Sequence, residues 1–407
     1  MTTSRPAHRR YVLFEQADFF RLWLVGCCAF VVRWLEMLAV GLYAYQITSS
    51  AFVVAMLSML RLLPMGLFGA LLGAVSDRVE RRSAIVVIVI ISMLGTGSLA
   101  VLASLDAIQV WHLALASFVN GICWAADNPF RRMTIGDVVG PERMGRAMAV
   151  DAGTNNASRV VGPLVSGLLL GYAGIASVFW LGVVLYVPSL WAALHIRVRS
   201  RRHTVDRKEG ILTSIAQGFV WLRSDQRVIG VFLITIYFNI FGWPCSSMIP
   251  VIGTDYMRLD PSGIGMMASA DGVGGLVGAL LVGTLVKLPW QGRVYAAAVG
   301  IYFTTLMAFA YAPNGIAGAL VLLCTGTLGA SFAIMQSTLV YRCTPNEMRA
   351  RVLGLLSMCI GTSPIGFFYL GWLAETLGPR NGVVALAAQG VLAMLLTRRW
   401  WKPALAG

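Results

Sequence analysis

Gly73-Ala74-Val75-Ser76-Asp77-Arg78-Val79-Glu80-Arg81-Arg82 is a charge-dense hairpin between two long apolar runs, residues 50–74 and 83–104. Each run is long enough to cross a bilayer as a helix, which needs about 20 mostly apolar residues. A short loop rich in arginine between two such helices stays on the cytoplasmic side, because Lys and Arg resist translocation and are held by the anionic inner leaflet. The same alternation continues outward from this loop. Twelve apolar stretches can be marked: 19–45, 50–74, 83–104, 110–133, 144–171, 175–196, 228–253, 262–286, 293–312, 315–340, 350–373 and 380–398.

Composition agrees. Of 407 residues 57% are hydrophobic and 12% charged, against about 45–50% and about 25% in soluble domains. That much charge cannot coat a water-soluble chain of this length, so an all-α, polytopic membrane protein is expected. The net charge of +14 sorts by side and not by patch. With a cytoplasmic N-terminus, the inner loops carry Arg5, Arg9, Arg10, Arg78, Arg81, Arg82, Arg143 and Arg146, eight basic residues between 197 and 227, and further ones up to Lys402. The outer loops carry Arg258 and Arg380. Both termini are therefore expected in the cytoplasm. The basic pI reflects topology, and a nucleic-acid partner is not expected.

The domain plan follows: a tail over 1–18, a six-helix bundle over 19–196, a linker over 197–227, a second six-helix bundle over 228–398 and a tail over 399–407. In the linker, Ile211, Ile215, Phe219 and Leu222 share one face, which predicts an amphipathic helix at the membrane surface. The halves look like weak repeats. Pro141-Glu-Arg-Met-Gly-Arg146 opens span five, Pro345-Asn-Glu-Met-Arg-Ala-Arg351 opens span eleven, and the following helices carry Pro163 and Pro364. Such repeats predict a transporter with a central cavity where the halves meet. The seven cysteines and four histidines have no metal-type spacing, and the cysteines read as small packing residues. No cleavable signal peptide is expected before the first span.

The hairpin loop resembles the Gly-x-x-x-Asp-Arg-x-x-Arg-Arg signature of the major facilitator superfamily. On that resemblance Gly73, Asp77, Arg78, Arg81 and Arg82 form a conformational switch, with Arg349 and Arg351 as partners for Asp77. Asp18-Phe-Phe-Arg-Leu-Trp, Tyr45-Gln-Ile-Thr-Ser-Ser, Arg61-Leu-Leu-Pro64, Asn128-Pro-Phe-Arg-Arg132 and Trp221-Leu-Arg-Ser-Asp225 are similar to the bacterial drug and siderophore exporter branch, which includes enterobactin-exporter-like and macrolide-efflux-like proteins. The 283–293 loop is a degenerate second copy of the signature, without the Asp-Arg pair. Gly162, Pro163 and Gly167 resemble part of the antiporter motif of drug–proton exporters, with Ser158 and Ser166 departing from it. The resemblance implies a monomeric, proton-coupled exporter of a small amphiphilic molecule in the bacterial inner membrane, contacting lipid, with the proton gradient as its energy source and no cofactor. Uptake, lysolipid transport and a non-transporting sensor on the same fold are the alternatives. No ATP-binding loop and no catalytic constellation occurs, so an enzyme is not expected.

Ionisable groups inside spans are costly and are functional candidates. At about 1.5 Å per residue, Glu36 and Asp271 lie roughly 14 Å below the outer ends of their spans, Arg61 roughly 16 Å, and Arg159 roughly 22 Å above the inner end of its own. Arg33 is one turn from Glu36. Asp127, Arg131 and Asp151 form a tier nearer the cytoplasm, suited to an inner gate or a structural role. Glu36 or Asp271 is expected to carry the coupling proton, unless Glu36 is held permanently by Arg33 or Arg61. Three mid-membrane arginines against two acids predict a net positive cavity favouring an anionic or zwitterionic substrate. Tyr237, Asn239, Trp243 and Gln336 are cavity candidates in the second half. No metal site is expected.

Overall fold

The computed structural model describes residues 13–76, 79–197, 220–222, 225–286, 288–345 and 348–402. Asp77, Arg78 and nearly all of the expected linker helix lie outside the described residues, and so does the side chain of Arg349. Among the described residues there is no strand. The first half contains α1 (Ala17–Thr48), α2 (Ala51–Ser76), α3 (Arg81–Ser104), α4 (Val110–Val139) and α5 (Pro141–Leu194). The second contains α6 (Gln226–Tyr237), α7 (Ile249–Asp255), α8 (Pro261–Leu285), α9 (Gln291–Ala310), α10 (Gly315–Cys343), α11 (Arg349–Ile360), α12 (Ser363–Leu377), α13 (Pro379–Leu396) and the short α14 (Arg398–Trp401).

Ten helical stretches of the described residues are long and apolar enough to cross a membrane. The expected twelve need two further assignments. The 54-residue α5 turns at Gly174, whose φ of 74° suits only glycine comfortably; it is then two spans with the predicted tight turn between them. The 30-residue α4 is long enough, but Asp127, Arg131, Arg132 and Asp137 lower its hydropathy.

Two spans are broken where proline removes a backbone donor. Between α6 and α7 the chain passes through a π-turn, Phe238–Gly242, and a 3-10 turn, Trp243–Met248, with Pro244 and Pro250 at the starts of the segments that follow. Between α11 and α12 it breaks at Gly361 and Thr362, just before Pro364.

The halves meet along the outer part of their helices. Gly167 on α5 faces Gly265 on α8 so closely that a Cβ at either would stand under 3.0 Å from backbone of the other helix. Gly171 faces Ser262, and the Ser269 hydroxyl donates to the Val160 carbonyl at 2.9 Å. On the opposite side Gly371 of α12 packs on Phe52 and Ala55 of α2, and Gly66 touches Gly361. At the outer ends Tyr45 donates to Asp255, and Ser50 to Glu375 at 3.4 Å. The halves are thus closed at the end that carries the α1–α2 and α7–α8 connections, with small residues letting helices approach.

Candidate functional site

A central cavity of about 70 Å³ lies where the halves meet. Helices α1, α2 and α5 contribute Trp34, Met37, Ser58, Arg159 and Pro163, while the broken span contributes Trp243, Ser246 and Ser247, and α8 contributes Asp271. The cavity exists on its second-half side because the π-turn and 3-10 turn rotate Trp243 and the two serines toward it. Both serine hydroxyls donate back to backbone carbonyls, those of Trp243 and Pro244, at 2.8 Å.

Arg159 and Asp271 form an ion pair across the two halves. Their side chains remain 15% and 20% exposed. The Arg159 guanidinium also stands over Trp34 at 5.2 Å and Trp243 at 5.7 Å, within the range of cation–π attraction. Gly272 lets α8 come close to α5 at this level, since a Cβ there would strike the Arg159 backbone.

Glu36 is placed differently. It is 1% exposed and held within the first half by three donors: Arg61 Nη2 at 3.2 Å, Thr96 Oγ1 at 2.5 Å and Asn120 Nδ2 at 2.9 Å. Of the two partners the sequence left open, the structure pairs it with Arg61. Arg33 stacks on Trp124 at 4.3 Å and on Phe30 at 5.2 Å, and shares a small cavity inside the first half with Asp127. The expectation of a net positive cavity therefore fails. Arg33 turns into the first bundle, Arg61 is neutralised by Glu36, and the central cavity holds one charge of each sign.

The lower tier is a knot. Arg131, fully buried, donates through Nε to Asp127 at 3.1 Å and through Nη1 to Asp151, which also meets Arg132 at 3.5 Å. It joins α4 to the start of α5. Arg81 binds Asp137 at 2.5 Å, and Arg82 donates to the Leu194 carbonyl at 2.6 Å, so these two loop arginines tie the first half together.

Of the second-half candidates, Trp243 lines the cavity. Asn239 and Gln336 do not belong with it: they are 6% and 5% exposed, with Asn239 between the Thr235 carbonyl and the Ser363 hydroxyl, and Gln336 on the Thr235 hydroxyl. Their polar groups are satisfied inside the second bundle, as buried amides must be. Tyr237 is half-buried beside Phe241, at 6.3 Å between rings. In the partial antiporter motif, Gly162 packs on Trp34 and Leu35 of α1, Pro163 reaches the cavity, and Gly167 makes the cross-half contact with α8. Trp34, Ser58, Ser246 and Ser247 were missed by the sequence reading. The Pro244–Pro250 spacing was the available signal for the last two.

Comparison with known proteins places this geometry in context. The model of the transmembrane secretion effector family matches residues 10–404. Macrolide efflux protein A of Streptococcus pyogenes is 21% identical over 370 residues, 88% of this chain and 90% of its own length. The multidrug efflux pump Tap of Mycolicibacterium fortuitum is 24% identical over 373 residues, 87% and 89% of the two chains. The crystal structure of the nucleoside transporter NupG superposes with a TM-score of 0.74 at 13% identity, covering 95% of this chain and 99% of that one.

Proposed function

Because the chain belongs to the transmembrane secretion effector family of the major facilitator superfamily and is a multi-pass membrane transporter, not an enzyme, we propose that it exports a small amphiphilic molecule in exchange for protons. The observation that carries this reading is the Arg159–Asp271 pair, a titratable link between the two halves that borders the cavity. Asp271 supports a coupling role better than Glu36, because it meets the cavity while Glu36 is enclosed by Arg61, Thr96 and Asn120.

Protonation of Asp271 cancels its charge and removes its attraction for Arg159. The link is then present when the carboxylate is free of a proton and absent when it is loaded. A substrate group that needs the ionised carboxylate competes with the proton for the same atom, and competition at one site is the simplest basis of exchange. Alternating access then follows from rocking of the halves about the cavity, with the Gly167–Gly265 contact closing the outer side. Export direction is supported by the efflux relatives.

Inverted membrane vesicles test the proposal. Energised by respiration, vesicles containing the protein should accumulate at least one member of a panel that includes a radiolabelled macrolide and fluorescent amphiphiles of either charge. Nigericin, which collapses the pH gradient, and Asp271→Asn should each abolish accumulation. Accumulation that survives both sinks the exchange mechanism.

A further inference from the structure

The central cavity is mostly apolar; its own lining carries one ion pair, and Arg61, held by Glu36, borders the adjoining space past Met37, Ser58 and Trp243. The hydroxyl protons of Ser246 and Ser247 are already given to backbone, so the charged groups of an entering molecule find their counter-charges in Arg159 and Asp271. A buried charge stripped of its partner is strongly unfavourable. The two members differ in how they escape that state: Asp271 can take up a proton, whereas arginine cannot lose one.

Three classes of molecule follow from this asymmetry. A permanent cation that takes Asp271 strands Arg159 between Trp34 and Trp243 with nothing to neutralise it. A lone anion that takes Arg159 frees Asp271 to bind a proton, so anion and proton would travel together, which is the opposite of exchange. A molecule with both signs satisfies both residues and leaves Asp271 ionised, so it and a proton cannot occupy Asp271 together. Arg159 Nε, buried and without a partner, is a further donor for its anionic group.

The geometry points to a zwitterionic amphiphile as the transported class: anionic group on Arg159, cationic group on Asp271, apolar body against Trp34 and Trp243. The molecule replaces the ion pair between the halves member for member. This assignment rests on the proton-exchange reading, and it narrows the anionic-or-zwitterionic expectation drawn from the sequence on different grounds, since the cavity is neutral and not positive.

Three probes on one scaffold test it with the full-length protein in nanodiscs: Nε-dansyl-lysine, a zwitterion; its methyl ester, a cation; and its Nα-acetyl derivative, an anion. Dansyl anisotropy at neutral pH should show the zwitterion binding tighter than either relative by roughly a hundredfold or more, the scale of one lost buried ionic partner. Arg159→Gln should make the ester the best ligand, and Asp271→Asn the acetyl derivative. A second readout needs no variant. Binding heats in buffers of different ionisation enthalpy should show about one proton taken up with the anion and none with the zwitterion. One unchanged affinity order in all three proteins, equal proton uptake for both probes, or no binding of the zwitterion overturns the assignment. Lost exchange in vesicles with the preference intact sinks only the exporter reading; exchange intact without the preference sinks only this one.

Discussion

Gly265→Ala should push the transporter toward an outward-open state. A Cβ at Gly265 would stand 2.6 Å from the Pro163 carbonyl oxygen and 2.8 Å from Gly167 Cα. Both are backbone atoms of α5, so neither can swing aside, and the helices must separate. Overpacking of this kind costs about 1–3 kcal/mol. The cost falls only on the state in which the halves touch, so it acts as a differential, and a bias of 1–3 kcal/mol changes a two-state ratio by roughly 5–150-fold. Helix propensity, which favours alanine, acts equally in both states and cancels. Spin labels at Leu105 and Ile316, exposed on the outer sides of the two halves, would report the change by pulsed distance measurement in a background lacking the seven native cysteines. A longer distance should gain population in Gly265→Ala and in Gly167→Ala. It should not in Gly300→Ala, where a Cβ would meet nothing within 4 Å. Unchanged distributions in the first two would refute the assignment of this contact as the outer seal.

Other perturbations have equally definite outcomes. Glu36→Gln leaves Arg61 buried without a carboxylate, a loss of about 3–5 kcal/mol for a broken buried pair; its melting temperature should fall well below wild type while the folded fraction keeps proton exchange, and the reverse result would make Glu36 the carrier. Tyr45→Phe removes the hydroxyl that donates to Asp255 across the outer ends. A hydrogen bond to a charged group is worth about 1.5–3 kcal/mol, so the same spin-label pair should shift outward, and a wild-type distribution would count against that latch. Asp225 caps α6, accepting from the Arg227 amide at 2.8 Å. Burial raises its pKa, but the bonds from Arg227 outweigh burial and hold it below the ordinary 3.8. Its stabilisation is therefore present above that value and lost as pH falls through the lower folded one. Asp225→Ala should cost about 0.5–2 kcal/mol at neutral pH, and thermal melts of the two proteins should converge in acid; a gap that stays constant with pH argues against the cap.

The sequence carries much of this architecture because membrane helices are written in long apolar runs and side-sorted charge. The Gly171–Ile175 turn was legible as such, whereas Pro364 stood out only as a proline shared with Pro163, and the break before it was not foreseen. The shape of the seventh span was not legible either. Nothing local announces that residues 238–248 leave the α-helix, although Pro244 and Pro250 hint at it. Depth along a helix was also legible, which is why Glu36, Arg61, Arg159 and Asp271 were singled out together. Azimuth was not. A one-residue step turns a side chain by about 100°, and that rotation decides that Glu36 and Arg33 serve the first bundle while Asp271 meets the cavity. Asn239 and Gln336 went astray for the same reason. Which arginine meets which acid depends on two helices at once, and no spacing within one of them encodes it.

The central claim is that Asp271, freed from or bound to Arg159, exchanges a proton for substrate. Proteoliposomes containing pyranine test it most directly. They are loaded with the best-transported compound of the vesicle panel and diluted into substrate-free buffer. Substrate leaving through the wild-type protein should draw protons inward and acidify the lumen, while Asp271→Asn should release substrate with no change in lumenal pH. A lumen that stays at constant pH with the wild-type protein, or that acidifies equally fast with Asp271→Asn, would contradict the account.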